Sequence, residues 1–218
     1  MKRMDPFILK TIDFVKEKVK NYDAGHDWWH IERVWRNAQY INQFEQGDAF
    51  IIDLAALLHD IADAKFFNGD ENIGPDLAKE YLKTNHIELR VIEQVGQIIQ
   101  NMSFRKSLGL VEFHSNELDI VQDADRLDAI GAIGIARAFT YGGYKNRELY
   151  NPEMPPLTTI SQEEYKKSTS PTINHFYEKL LLLKDKMKTM TGKRLAAERH
   201  IFMEKYLDQF YKEWNGLY

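Results

Sequence analysis

Cysteine is absent from this 218-residue chain, which excludes disulfides, thiolate metal sites and cysteine nucleophiles. Also missing is any apolar stretch approaching the ~20 residues that a membrane helix needs. Lys10, Asp13, Lys16 and Glu17 break up the early segment that would otherwise resemble a leader. No dense basic run outweighs the acids: 29 Lys and Arg against 33 Asp and Glu give a formal charge of −4, so electrostatics supply no reason to expect nucleic acid as a partner. The expectation is a cytoplasmic protein binding neither nucleic acid nor membrane, with monomer or homodimer left open. Repeats, low-complexity tracts and β-branched alternation are missing too, and without that alternation the fold class reads as all-α.

What is present is an ordinary globular balance of 44% hydrophobic and 28% charged residues, enough to bury a substantial core in one domain spanning 1–218. Within it a motif-bearing core covers about 20–140, a loop about 141–160 and a C-terminal helical extension about 161–218. Phe7, Ile8, Ile12, Val15 and Val19 recur at helical spacing, as do Ile31, Val34, Trp35, Ala38 and Ile41. Asp48 is placed to cap an apolar helix, Ile51 to Leu58, that belongs at the centre of the core. Pro75 suits the first turn of a helix running to about Lys83, and Asn85 with Glu88 resembles a capping box for the next. A further helix carries Leu118, Ile120, Val121 and Leu127. The small residues Gly131, Ala132, Gly134 and Ala136 then allow another helix to approach closely. The stretch Tyr141 to Thr159, with Gly142-Gly143 and Pro155-Pro156, reads as a long irregular loop. Ser161 with Glu164 forms a second capping pair. Two long helices, about Ile173 to Met190 and Lys193 to Trp214, separated by Thr191-Gly192, predict a C-terminal hairpin packed on the core.

Three segments concentrate imidazole and carboxylate. His26 and His30 are four residues apart, so on a helix both rings share a face, although such pairs also serve capping and packing, here beside Trp28 and Trp29 with Asp27 as an N-cap. His59-Asp60 closes the apolar helix, where a carboxylate needs a cation, a donor or water; bonds to nearby backbone are the plainer alternative. Neighbouring helical residues diverge by about 100°, so both meet one ion only at the helix edge, with other segments completing the shell. Asp123, Asp125 and Asp128 fall among Leu, Val, Ala and Ile, which disfavours a simple solvated face. Imidazole and carboxylate drawn from separate segments can enclose one divalent metal, and that makes hydrolysis possible at neutral pH.

Together the segments His26-Asp27-Trp28-Trp29-His30-Ile31-Glu32-Arg33-Val34, Leu57-Leu58-His59-Asp60-Ile61-Ala62-Asp63, Val121 to Gly134 and Asn174-His175-Phe176-Tyr177-Glu178-Lys179-Leu180 resemble the HD-domain metal-dependent phosphohydrolase superfamily, specifically its YedJ/YpgQ-like bacterial subfamily. The resemblance spans roughly residues 20–214. It implies an α-helical HD bundle with one divalent metal held by His30, His59, Asp60 and Asp125. Mn²⁺ is favoured for a mixed N/O ligand set, with Mg²⁺, Fe²⁺, Co²⁺, Ni²⁺ or Zn²⁺ as alternatives. His30 is preferred to His26, and Asp125 to Asp123, because they occupy the family positions. Asp63, one turn after His59, is the implied general base, acting with Asp60; Asp there is shorter than the Glu of some relatives. His26, Arg33 and Lys65 are the candidates for substrate phosphates, and Asp27, Asp123 and Asp128 for support behind the ligands. The loop around Tyr141 and Tyr144 can either contact a base or pack on the surface.

The implied activity is nucleotide pyrophosphohydrolysis, a (d)NTP giving (d)NMP and pyrophosphate. Nucleoside monophosphate phosphatase or another HD phosphodiesterase is the alternative within the enzyme class. A non-catalytic, metal-stabilised nucleotide-binding regulator is the alternative outside it.

Overall fold

The computed structural model describes residues 5–22, 25–62, 72–102, 113–157 and 169–217. Among them there are helices and no strand, as the periodicity predicts. None of the helices is long and apolar enough to cross a membrane. The chain divides into two compact units, Met1–Asp125 and Arg126–Tyr218.

The first unit contains α1 (Pro6–Val19), α2 (Trp28–Glu45), α3 (Ala49–Leu58), α4 (Ile73–Thr84), α5 (Leu89–Asn101) and most of α6 (Asn116–Asp128). Capping explains where several begin. Asp5 accepts from Phe7 N at 2.7 Å, Asp27 from His30 N at 2.9 Å, and Asp48 from Phe50 N and Ile51 N at 3.0 and 3.3 Å. α3 is the hub: Ile51, Ile52, Leu54, Leu57 and Leu58 are each no more than 1% exposed, and burial of each such side chain is worth about 1.5–3 kcal/mol. α1, α2 and α5 pack around it, and α4 packs on α5.

The capping box expected from Asn85 and Glu88 does not form. Asn85 instead closes α4, its side-chain amide donating to Tyr81 O at 2.8 Å. His86 takes a left-handed φ of 57°, and α5 starts after Glu88 without a side-chain cap bond.

The second unit carries α7 (Gly131–Tyr144), α8 (Asn174–Glu178), a 3₁₀ helix (Leu180–Lys186) and α9 (Met190–Trp214). Here the element boundaries depart from the periodicity. The expected loop from Tyr141 begins later, because α7 continues to Tyr144. A side chain at Gly142 would collide with Thr172 Oγ1, 2.1 Å from the Cβ position, so glycine lets the last turn of α7 lie directly on Thr172. Gly134 likewise permits a close approach, though to the Ala129 carbonyl rather than to another helix.

The helix expected from Ile173 to Met190 is split at Lys179, whose φ of −144° is not helical. After it, Leu180 and Leu183 are buried while Leu182 is exposed, the three-residue spacing that a 3₁₀ turn presents to one side. Thr191-Gly192 is no separator. Thr189 caps α9 by accepting from Gly192 N at 2.9 Å, which places both residues in its first turn. The Ser161 and Glu164 pair lies outside the described residues.

Candidate metal centre

α2 and α3 bring the two histidines together. The Asp27 cap fixes the first turn of α2 and sets His30, 3% exposed on its side chain, at the edge of the buried face. His59 is the C-cap of α3, and the ring centroids of His30 and His59 are 5.5 Å apart. His30 Nε2 lies 3.9 Å from Asp60 Oδ2 and 3.6 Å from Asp125 Oδ1. One ligand atom each from His30, His59 and Asp60 falls within 4.8 Å of the others, and Asp125 on α6 adds the carboxylate beside His30. All four residues belong to the unit Met1–Asp125.

The donor chemistry fits a cation. His59 Nδ1 lies 2.8 Å from Ala56 O. Since a carbonyl only accepts, Nδ1 carries the proton, and in the neutral ring Nε2 presents a lone pair. That Nε2 is buried and has no hydrogen-bond partner. A buried acceptor left in this state costs about 1–3 kcal/mol, and a divalent ion shared with the neighbouring carboxylates would remove that cost.

The other sequence candidates sit at different depths. The His26 ring, half-buried, is 6.2 Å from that of His30. Arg33 is half-buried on α2, and Asp27 is the cap already described. Asp123 is completely buried on α6, whereas the Asp125 side chain is 39% exposed; of the two, Asp125 is the one placed against His30. Asp128 belongs to the second unit and is bound by Arg137 Nη1 at 2.5 Å. Asp63 and Lys65 lie outside the described residues. Tyr141 and Tyr144 are exposed on the last turn of α7, where the Lys145 ammonium stands 5.8 and 5.0 Å from their ring centroids. In the Asn174 to Leu180 segment, burial pushes the His175 pKa down to about 3, with repulsion from Lys179 and Arg147 adding to it, so the imidazole is neutral near pH 7.

One polar contact between α2 and α3 escaped the sequence reading. Asp53, the sole charged residue of α3, accepts from Trp35 Nε1 at 2.7 Å and Gln39 Nε2 at 3.0 Å. The available signal was its position in an otherwise apolar helix.

Comparison with known proteins agrees with this geometry. The HD domain family model matches residues 28–130, which take in all four residues of the cluster. The uncharacterized protein YpgQ of Bacillus subtilis is 39% identical over 212 residues, covering 94% of this chain and 92% of that protein. The crystal structure of an HD-superfamily hydrolase from Bacillus thuringiensis superimposes with a TM-score of 0.77 at 45% identity, covering 96% of this chain and 97% of the other. That of B. subtilis YpgQ in complex with ADP gives 0.72 at 35%, covering 94% and 97%. The chain belongs to the HD superfamily, within the group that includes YpgQ.

Proposed function

We propose that this protein is a divalent-metal-dependent nucleotide pyrophosphohydrolase, converting (d)NTP to (d)NMP and pyrophosphate. The observation that carries the reading is the orphaned, buried lone pair of His59 Nε2, which opens onto His30 and Asp60. The ADP complex of B. subtilis YpgQ and that protein's similarity to this chain support a nucleotide as the substrate.

His30, His59, Asp60 and Asp125 would hold the metal. A divalent ion so bound, Mn²⁺ in our reading, supplies Lewis acidity that lowers the pKa of a water and offsets phosphoryl charge. The chain's own residues do the rest. The Ala56 carbonyl keeps His59 in the tautomer that points Nε2 inward. Asp60 orients the attacking water and Asp63 takes its proton, while His26, Arg33 and Lys65 bind phosphate oxygens. Asp27 and Asp123 hold the ligand-bearing helices in place.

The test is to supply metal-stripped protein with Mn²⁺ and a panel of nucleoside mono-, di- and triphosphates, measuring pyrophosphate and orthophosphate separately, with Asp60→Ala alongside. Pyrophosphate from triphosphates, by the wild type alone, is expected. Orthophosphate from monophosphates would make the protein a nucleotidase. Nucleotide binding without any product would make it a regulator.

A further inference from the structure

Asp53 is a half-buried carboxylate with no part in the chemistry above. Among the described residues no lysine, arginine or histidine pairs with it. Its Oδ1 takes two N–H donors from α2, Trp35 at 2.7 Å and Gln39 at 3.0 Å. Burial raises its pKa, and these two bonds act in the opposite direction. Even partial burial of a carboxylate without an opposite charge carries a cost, so what the bonds achieve has to be sought in where they lie.

α2 and α3 are joined by residues 46–48 alone, in an antiparallel hairpin. Its closed end is tied by Gly47 N to Asn42 Oδ1 at 2.6 Å and by Asn42 Nδ2 to Gly47 O at 3.2 Å. His30 and His59 stand at the open end, where a small change in the angle between the helices produces the largest displacement. Trp35 lies five residues from His30 and Asp53 six from His59, about 7.5 and 9 Å along their helices. The two bonds therefore span the hairpin between its turn and the cluster, one rung above the histidines.

We propose that Asp53 is a positioning residue of the metal centre: by accepting from Trp35 and Gln39 it fixes the spacing of α2 and α3, and with it the separation of His30 Nε2 from His59 Nε2. This rests on the reading of the cluster as a metal site. Partners bonded directly to metal ligands typically account for about 10–100-fold in metal affinity; Asp53 touches no ligand and acts through the helix spacing, so an effect at the lower end of that range is expected.

The experiment measures Mn²⁺ affinity by titration calorimetry, together with the melting temperature of the metal-free protein, for wild type, Asp53→Ala, Asp53→Asn and Trp35→Phe. Asp53→Ala weakens Mn²⁺ binding by about tenfold or more. Asp53→Asn, whose amide oxygen accepts the same two bonds, stays close to wild type, and Trp35→Phe falls between. A merely structural role lowers the melting temperature of Asp53→Ala and leaves the affinity of the folded protein unchanged; that result overturns the proposal, as does an equal loss of affinity in Asp53→Asn. If Asp53→Ala does not fold, Trp35→Phe, which keeps a ring in the core, decides by the same criterion. A wild type that binds no Mn²⁺ overturns the metal reading itself, and the proposal with it.

Discussion

In the unit Met1–Asp125 the cluster gathers imidazole and carboxylate: His30, His59 and Asp60 lie together with Asp125 beside His30, and His59 Nε2 is buried without a hydrogen-bond partner. In Arg126–Tyr218 three buried or half-buried arginines each donate to an oxygen acceptor. Arg126 donates to Lys186 O at 2.7 Å, Arg137 to Asp128 Oδ2 at 2.5 Å, and Arg199 to Leu127 O. Each set mixes a buried member with partly exposed ones: His30 is 3% exposed beside Asp125 at 39%, and Asp128 2% beside Arg137 at 25%. What separates the two sets is their chemistry: guanidinium donors meet oxygens in one, and imidazole meets carboxylate beside the unpartnered His59 Nε2 in the other. Paired donors and acceptors hold a fold together, and a buried lone pair beside carboxylates suits a cation from outside.

Asp60→Ala is expected to break this contrast most sharply. It removes a carboxylate from the acceptor set, so Mn²⁺ binding and hydrolysis are lost. Because the Asp60 side chain is 19% exposed and helps close no donor network, the melting temperature of the metal-free protein moves little; calorimetry and thermal unfolding check both halves. Asp128→Ala is the converse. It leaves Arg137 without its carboxylate, and with Arg137 a quarter exposed the cost falls below the roughly 3–5 kcal/mol of a fully buried pair. Denaturant unfolding reads that cost, while the Mn²⁺ affinity of the folded protein is unchanged.

Gly134→Ala sets a Cβ 2.2 Å from the Ala129 carbonyl oxygen. Backbone must shift to admit it, for a destabilisation of about 1–3 kcal/mol, again visible in denaturant unfolding.

The smallest effect is a pH slope. An unfolded histidine protonates near 6.5 and folded His175 only near 3, so acid favours the unfolded chain throughout that interval. Between pH 7 and 5.5 this histidine alone lowers stability by about 1 kcal/mol. His175→Gln flattens the slope in unfolding curves recorded across that range. Asp53 acts with the opposite sign. Its raised carboxyl pKa favours the folded state as pH falls toward 3.8, so Asp53→Asn steepens the loss of stability on acidification.

The helical character of the chain and the location of α1 to α6 were legible because their apolar positions repeat every three to four residues and Asp27 and Asp48 sit where caps belong. The cluster was legible through residue identity: His30, His59, Asp60 and Asp125 were selected by resemblance, and the structure places them together. Less was legible where tertiary contact overrides local pattern. The Leu180–Leu183 run looks helical in composition, yet burial at three-residue spacing and the backbone of Lys179 turn it into a 3₁₀ segment. Gly142-Gly143 signals a break, but packing against Thr172 keeps the turn helical. Asp53 went unread because its partners, Trp35 and Gln39, lie on another helix, and no sequence period connects them.

The most direct test of the central claim, that the histidine and carboxylate cluster is a metal site, is an anomalous difference map from crystals grown with Mn²⁺. The account predicts one strong peak per chain, within ligand distance of His30 Nε2, His59 Nε2, Asp60 and Asp125. A map with no peak there, or with Mn²⁺ bound only at other carboxylates, would contradict it.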